Sequence, residues 1–525
     1  MLASWLTSFH SLQKMLSIRK RLQNVNVPPQ PLIQYANLRA KKMKVTIALL
    51  DKNGNNAVTR MLDVLHSFDV GQTSHFAVLT PKKSFFEKPL GIINRQGLET
   101  TTLLGCISSR AISSSGYDAL QLSDAAVMFD GRVYAPIQKE ALTKQISQEP
   151  QRCETALQAL IEQADGDYAF WMLREGYIAA GRDPIGVQPL YFGETRDIAA
   201  YATNRKALWR LGIDDPKSFP PGTLGFADRE GFKFKPVKTL TYTSPRQVTL
   251  EEAAQILQTL LVESIKRRVH SQERVAVAFS GGLDSSIVAY LASKQGVKVE
   301  LLHVSMENEA ETETAVDAAE ALDLPLRIDL YKDSDLETAL PYVVELIEEV
   351  DPVKAAIGVP FYWTAKQTSE AKYRVLLAGQ GADELFGGYQ RYVNECLKSG
   401  PEKVRRTMFD DVVKIHESNL ERDLKITGWF DVELRCPFAS YEIAEFAMGL
   451  PLECRIEAKA DTLRKLVLRK VAQNLGMPTS IVDKPKKAVQ YSTGINDALK
   501  RIARRDGKTV NEYVSGLFES FRGRM

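Results

Sequence analysis

From residue 44 to about 240, apolar residues fall in strand-length runs separated by Gly, Asp and Pro turns. "KVTIALL" (44–50), "SHFAVLT" (74–80), "AAVMFDGRVY" (125–134) and "GTLGFADREGFKFKPV" (222–237) each predict a strand or a hairpin, with a helix over 151–164. At "YTSPRQVTLEEAA" the pattern changes. Ser244-Pro245 breaks the preceding structure, and Thr249 with Glu252 makes a capping box that opens a helix to about Val269. Leu250, Ala253, Leu257, Leu260, Leu261 and Ile265 keep helical spacing along it. Beyond 270 short apolar runs ("VAVAF", "VKVELLHVS", "PLRIDLY", "YRVLLAG") alternate with helix-length stretches. That alternation predicts an α/β domain with a parallel sheet and a ligand crevice at the carboxyl ends of its strands. After about 390 the pattern is largely helical.

The stretch "VAVAFSGGLDSSIVAYL" (275–291) carries the first chemistry. A buried strand, a glycine turn and a helix start aim backbone N–H groups outward at the positive end of a helix dipole, which makes a site for an anion, typically phosphate. The G-x-x-x-x-G-K-[ST] loop is absent, so this cradle is of another kind. A second glycine-bearing strand end, "VLLAGQGADELFGGYQRY" (375–392), brings Asp383 and Glu384. Asp284 and Asp383 facing one polyphosphate would suit Mg²⁺, which takes oxygen ligands and bridges phosphate oxygens. By spacing alone both could equally be first-turn acids offsetting helix dipoles.

Composition narrows the field. The 525 residues, 44% hydrophobic and 25% charged, suffice for two or three soluble domains, with no apolar run long enough to cross a bilayer. Five cysteines lack C-x-x-C spacing and six histidines lack H-x-x-x-H spacing, which argues against a disulfide framework or a zinc site and fits a reducing cytosol. Net charge is +3, yet residues 1–42 hold seven Lys or Arg and no Asp or Glu, leaving −4 for the rest. The body is thus mildly acidic, which speaks against a nucleic-acid partner. The basic leader reads as a mis-assigned start ahead of Met43 or as an organelle transit peptide, the latter being the alternative to a cytoplasmic location.

Taken together, "SGGLDSS", "GADELFGGY", "ELRCPF" (433–438) and "DKPKKAVQYSTG" (483–494) resemble, in order, the segments of the asparagine synthetase family of ATP pyrophosphatases. The resemblance implies that ATP and Mg²⁺ are the cofactors. Ser280, Gly281, Gly282, Asp284, Ser285 and Ser286 would hold the pyrophosphate, with Val304 and Gly379 completing the nucleotide site. Asp284 and Asp383 would hold the metal. Lys486 (or its neighbour Lys487), Asp383 and Glu384 would serve catalysis, and Gln380, Tyr389 and Arg435 the substrate. The reaction implied is adenylation of a carboxylate, with aspartate the leading acceptor, followed by displacement of AMP by ammonia. Two positions depart from the family: Gln380 stands where members carry a glutamate with an acid–base or substrate-contact role, and Ser440 where an Asp is common.

"FDGRVYAP" (129–136), "GRDPIGVQPLYFG" (181–193), "ATNRKALW" (202–209) and "FPPGTL" (219–224) resemble the N-terminal nucleophile glutaminase domain that precedes such synthetases. An αββα sandwich over 43–243 and a synthetase-like domain over 249–525 are therefore expected. The nucleophile is missing: Lys44 follows Met43, and the nearest cysteine is Cys106. "NGE" is replaced by Asp130-Gly131-Arg132, and an Asp before Cys-Glu by Arg152. A glutaminase-inactive fold packed on the synthetase half is expected, with small-molecule substrates as partners and a homodimer left open. An amide ligase for another carboxylate (β-lactam synthetase-like) and a non-catalytic ATP-binding protein are the alternatives. A tRNA-modifying enzyme is disfavoured by the lack of a catalytic cysteine pair and of a basic face.

Overall fold

The computed structural model describes residues 44–69, 74–86, 90–94, 97–108, 117–135, 139–307, 311–457, 459, 463–484 and 493–524. Two antiparallel sheets come first. One has seven strands, in the order 217–218, 191–194, 198–202, 45–51, 102–108, 75–79 and 84–86; the other has six, in the order 231–236, 223–228, 177–182, 165–174, 126–135 and 117–121.

The sheets stack face to face, and each outer face carries helices. Alternation along one strand shows why. Ala48 and Leu50 join Met128 and Trp171 between the sheets, while Ile47 and Leu49 pack outward on Met61, Leu62 and Leu65 of the helix Val58–Ser67. The second sheet repeats this, with Val127, Phe129 and Phe170 turned toward Leu157, Leu160 and Ile161 of the helix Cys153–Gln163. Strands covered on both faces read as unbroken apolar runs, hence "KVTIALL". The layering is αββα.

The helix Leu250–Val269 begins where the capping box placed it, with Thr249 Oγ1 accepting from the Glu252 N–H and Glu252 Oε2 from the Thr249 N–H. It packs on the helices Leu283–Ser293 and Leu466–Asn474 of a half built on a five-stranded parallel sheet, in the order Leu326–Tyr331, Lys298–Met306, Arg274–Ala278, Val375–Leu377, Glu433–Arg435. The last strand, from "ELRCPF", is three residues long and was not marked by periodicity; its Leu434 pairs with Leu376 at the sheet edge. No helix among the described residues is long and apolar enough to cross a membrane.

The two halves share a core and buried charges. Ile185 and Val187, from "GRDPIGVQPLY", lie in the hydrophobic core of the synthetase half. Glu421, on the helix Glu421–Trp429, is fully buried against the sandwich and accepts hydrogen bonds from Arg182 (3.1 Å), Tyr191 (2.6 Å) and Ser218 (2.5 Å). Burial alone would raise its pKa, but Arg182, followed by His416 and Arg205, outweighs that and holds it at about 2. Arg268 forks onto Asp165 across the same boundary at 3.0 and 3.2 Å, and Glu348 receives the Arg205 N–H at 2.8 Å.

Candidate functional site

The carboxyl ends of the strands Arg274–Ala278, Lys298–Met306 and Val375–Leu377 open into a cleft of about 210 Å³. Ser280, Asp284, Ser285, Val304, Gly379, Gln380, Asp383 and Tyr389 all line it, alongside Phe361, Asn419 and Arg422. Eight of the residues singled out from sequence thus converge on one crevice, where parallel sheets bind ligands.

The first loop is shaped by glycine. Gly281 has φ +65°, and a Cβ there would meet the Thr314 carbonyl oxygen at 2.7 Å. Inside the turn Ser280 Oγ accepts from the Gly282 N–H at 3.3 Å, and Ser285 Oγ donates to the Gly282 carbonyl at 3.2 Å. The helix Leu283–Ser293 starts at once, so its positive end faces the cleft with Asp284 in its first turn. Ser286 is fully buried behind the loop and is not among the residues that line the cleft.

Asp284 and Asp383 come together, and sequence reasoning missed what stands between them. Lys465 Nζ lies 2.5 Å from Asp284 Oδ2 and 2.6 Å from Asp383 Oδ1, with its side chain 2% exposed. It sits at the N-terminus of the helix Leu466–Asn474 with φ +61°. A cation there opposes the helix dipole and a left-handed lysine is disfavoured, so only nearby carboxylates make the placement favourable. A basic residue opening an apolar helix was the one faint sequence signal. The glycine opposite follows from this: a Cβ on Gly388 would lie 2.4 Å from Lys465 Cε and closer still to Asp383. Lys486 and Lys487 lie outside the described residues. Their neighbour Lys484 donates to the Gly281 carbonyl at 3.2 Å, at the edge of the anion loop.

Behind this front row stand buried acids. Glu384 is 4% exposed and lies beneath the cleft, accepting from Tyr389 Oη and, at 2.6 Å, from Asn419 Nδ2. Burial and the neighbouring Asp383 charge raise its pKa. It orients two residues that line the cleft and does not line it itself. Asn419 arrives on a π-helical turn, His416–Leu420. Gln380 donates its amide N–H to Asp423, which Arg422 also holds through Nε (2.6 Å) and Nη2 (3.0 Å). One Gln380 N–H is thereby given to Asp423, which leaves its oxygen as acceptor and its second N–H as donor for the cleft.

Two expectations are corrected. Arg435 is not at the cleft: it donates to the Arg268 carbonyl and to Glu433, toward the sandwich. Ser440 is a helix cap, its Oγ accepting from the Ile443 N–H at 3.3 Å. An Asp would cap equally well, so this departure carries no information about the substrate.

A second cavity, about 220 Å³, lies between the halves and is lined by Lys44, Asp130, Gly131, Arg132, Tyr134 and Asp167 among others. Lys44 pairs with Asp130, and Arg132 with Glu433 of the synthetase half. Cys106 is fully buried in the core between the sheets. Arg152, expected here from "RCE", is instead a surface residue with 71% of its side chain exposed, paired with Glu149. Among the carboxylates that line the cavity is Asp167, which accepts from Tyr134 Oη at 2.6 Å.

A glycine loop at a helix start, facing a carboxylate pair across the ends of a parallel sheet, marks an α/β domain with a crevice chemically suited to a phosphate group. The asparagine synthase family model matches residues 257–400 and 396–520. A Methanocaldococcus jannaschii protein provisionally named a glutamine-hydrolysing asparagine synthetase is 31% identical over 68% of this chain and 75% of its own. An asparagine synthetase domain-containing protein of Saccharomyces cerevisiae is 25% identical over 82% of this chain and 92% of its own. Among solved structures, a glutamine phosphoribosylpyrophosphate amidotransferase of B. subtilis is 15% identical over 54% of this chain and 65% of its own; its TM-score of 0.29 is too low to carry an argument. The chain belongs to the asparagine synthase family, whose members are ATP-dependent amide ligases.

Proposed function

We propose that this chain adenylates a carboxylate with ATP, aspartate being the first candidate, and transfers free ammonia to it with release of AMP and pyrophosphate. A free carboxylate has no viable leaving group at neutral pH, and attaching AMP supplies one. What remains for the protein is positioning and charge stabilisation. The observation that carries the reading is the convergence of the Ser280–Ser285 loop, Asp284, Asp383 and Lys465 on one cleft.

Within it, the loop N–H groups and the start of the helix Leu283–Ser293 face the phosphates. Leu302, Val304 and Phe361 offer an apolar wall to the base. Magnesium suits the donor set: Asp284 Oδ1 is buried without a hydrogen-bond partner among the described residues, and both carboxylates supply hard oxygens. Asp284 and Asp383 would hold it, and it would neutralise phosphate charge. Gln380 can present a hydrogen-bond acceptor but cannot take up a proton at neutral pH.

For the sandwich we propose a structural role without glutaminase chemistry. A lysine stands directly before the strand Val45–Asp51, and its ammonium is held by Asp130. An amine cannot replace a thiol that must form and release an acyl group.

The test is pyrophosphate release from Mg-ATP by the full chain. Aspartate and a panel of other carboxylates are each supplied with ammonium or glutamine. Release with aspartate and ammonium, but not glutamine, is the expected result. Release with another carboxylate keeps the chemistry and moves the acceptor, which the Gln380 departure favours as the second reading. No release with any pair overturns the proposal.

A further inference from the structure

The cation already present between the two carboxylates points to a device for coupling metal binding to nucleotide binding. Lys465 Nζ contacts Asp284 Oδ2 at 2.5 Å and Asp383 Oδ1 at 2.6 Å. These are the carboxylates best placed to hold a divalent ion. The lysine reaches them from a left-handed backbone position at a helix start, through the gap opposite Gly388. Both the dihedral and the dipole work against a lysine there, and its side chain is 98% withdrawn from solvent. A buried ammonium so placed is held by its two counter-ions, and it offsets one of their two charges.

We propose that Lys465 is an internal counter-cation that occupies the divalent-metal position while the cleft holds no nucleotide, and that it transfers to the polyphosphate when metal and nucleotide enter together. The inference deepens the ligase reading and rests on it for the identity of the anion. Charge counting gives the reason. The two carboxylates and the ammonium together carry −1, and the Arg464 and Arg469 guanidiniums and the buried Glu384 act on the same pair. A divalent ion arriving alone would compete with the ammonium for the same oxygens and leave Lys465 buried without a partner. Arriving with a polyphosphate, it brings the anion that Lys465 then needs. The free metal is therefore bound weakly, and the metal–nucleotide complex strongly. By linkage, whatever Lys465 adds to nucleotide affinity in the presence of metal, it subtracts from metal affinity in the absence of nucleotide.

The test uses the full chain and Mn²⁺ as the probe, read by electron paramagnetic resonance of the free ion and by water-proton relaxation of the bound one. Without nucleotide, Lys465→Met and Lys465→Gln should each bind Mn²⁺ at least about ten-fold more tightly than wild type, within the usual range of coupling factors. Millimolar Mn²⁺ alone should raise the melting temperature of the variants more than that of wild type. With ATP present, the ranking should invert, wild type forming the ternary complex more tightly. Equal Mn²⁺ affinity of wild type and folded variants without nucleotide overturns the proposal. So does micromolar Mn²⁺ binding by nucleotide-free wild type, which decides the matter even if neither variant folds. Failure of wild type to bind Mn-ATP at all counts instead against the ligase reading, so the two failures are told apart.

Discussion

Single side chains of this site act through their neighbours more than through their own reactivity. Asp284 touches Lys465 and faces the anion loop, yet as a first-turn acid it contributes at most about 1 kcal/mol to its helix. Asp284→Ala should lower pyrophosphate release by about 10²–10³-fold and, because the buried Lys465 keeps Asp383 but loses one counter-ion, cost about 1–3 kcal/mol in urea unfolding; that loss of stability at full activity would assign Asp284 to structure alone. Gln380 allows a sharper test, because its amide donates to Asp423, whose pKa burial already raises against the opposing pull of Arg422. Gln380→Glu puts a second carboxylate against the first, so the folded state must hold a proton that the unfolded chain releases. The folded pKa of the pair rises above its unfolded value; stability is intact at acid pH and falls as pH climbs. The variant should melt lower at pH 8 than at pH 6, by the equivalent of roughly 1–3 kcal/mol more than wild type over the same interval. The glycine loop and the acids were legible in sequence because spacing alone describes a strand, a turn and a helix start. Lys465 was not: its partners Asp284 and Asp383 come from two other segments, and no local pattern announces a contact made only by the tertiary fold.

At the level of elements, the turn at Gly281 is the most constrained joint in the cleft. Its left-handed φ and the Thr314 carbonyl 2.7 Å from a would-be Cβ leave no room for a side chain. Gly281→Ala should cost about 1–2 kcal/mol from the dihedral alone, more with the clash, and should abolish ATP-dependent pyrophosphate release; calorimetry and the release assay read the two effects separately. Long elements with both faces buried were easy to foresee. The capping box at Thr249 fixed a helix start to the residue because capping is local chemistry. The three-residue strand Glu433–Arg435 escaped, since a strand that short has no period and is defined only by pairing with Val375–Leu377. Arg435 was misassigned for the same reason: which way a side chain leaves an edge strand depends on register, and its register turns it toward Arg268.

Across the whole molecule, charge buried between the halves should dominate the response to pH. His416 is pushed down to about 4 by burial and then by Arg182, and Glu421 is held at about 2. In both cases the unfolded chain binds protons that the folded protein refuses. Stability is complete above the unfolded pKa of the histidine, about 6.5, and is lost as pH falls toward 4, with the glutamate adding to the loss below about 4.5. Chemical denaturation between pH 7.5 and 4.5 should show this steady decline, and His416→Gln should flatten its upper part. Glu421→Ala leaves Arg182, fully buried, without its carboxylate, and should cost ~3–5 kcal/mol. If urea unfolding shows a loss below about 1 kcal/mol, the pair behaves as a surface contact and the halves are less dependent on each other than the geometry implies. Sequence reasoning anticipated two packed halves; it gave no sign of the ion pairs, because Arg182 and Glu421 lie 239 positions apart.

That separation has a consequence for descent. A sandwich with the purely structural role proposed above would ordinarily drift or be deleted. Here the residues that moor it (Arg182, Tyr191 and Ser218 on one side, Glu421 on the other) can change only in concert, since altering one strands the rest in a dry interior. Among descendants of this chain, positions 182 and 421 should therefore be replaced together or not at all. The front half would then persist as architecture, tied to its neighbour by charges that neither half can give up alone.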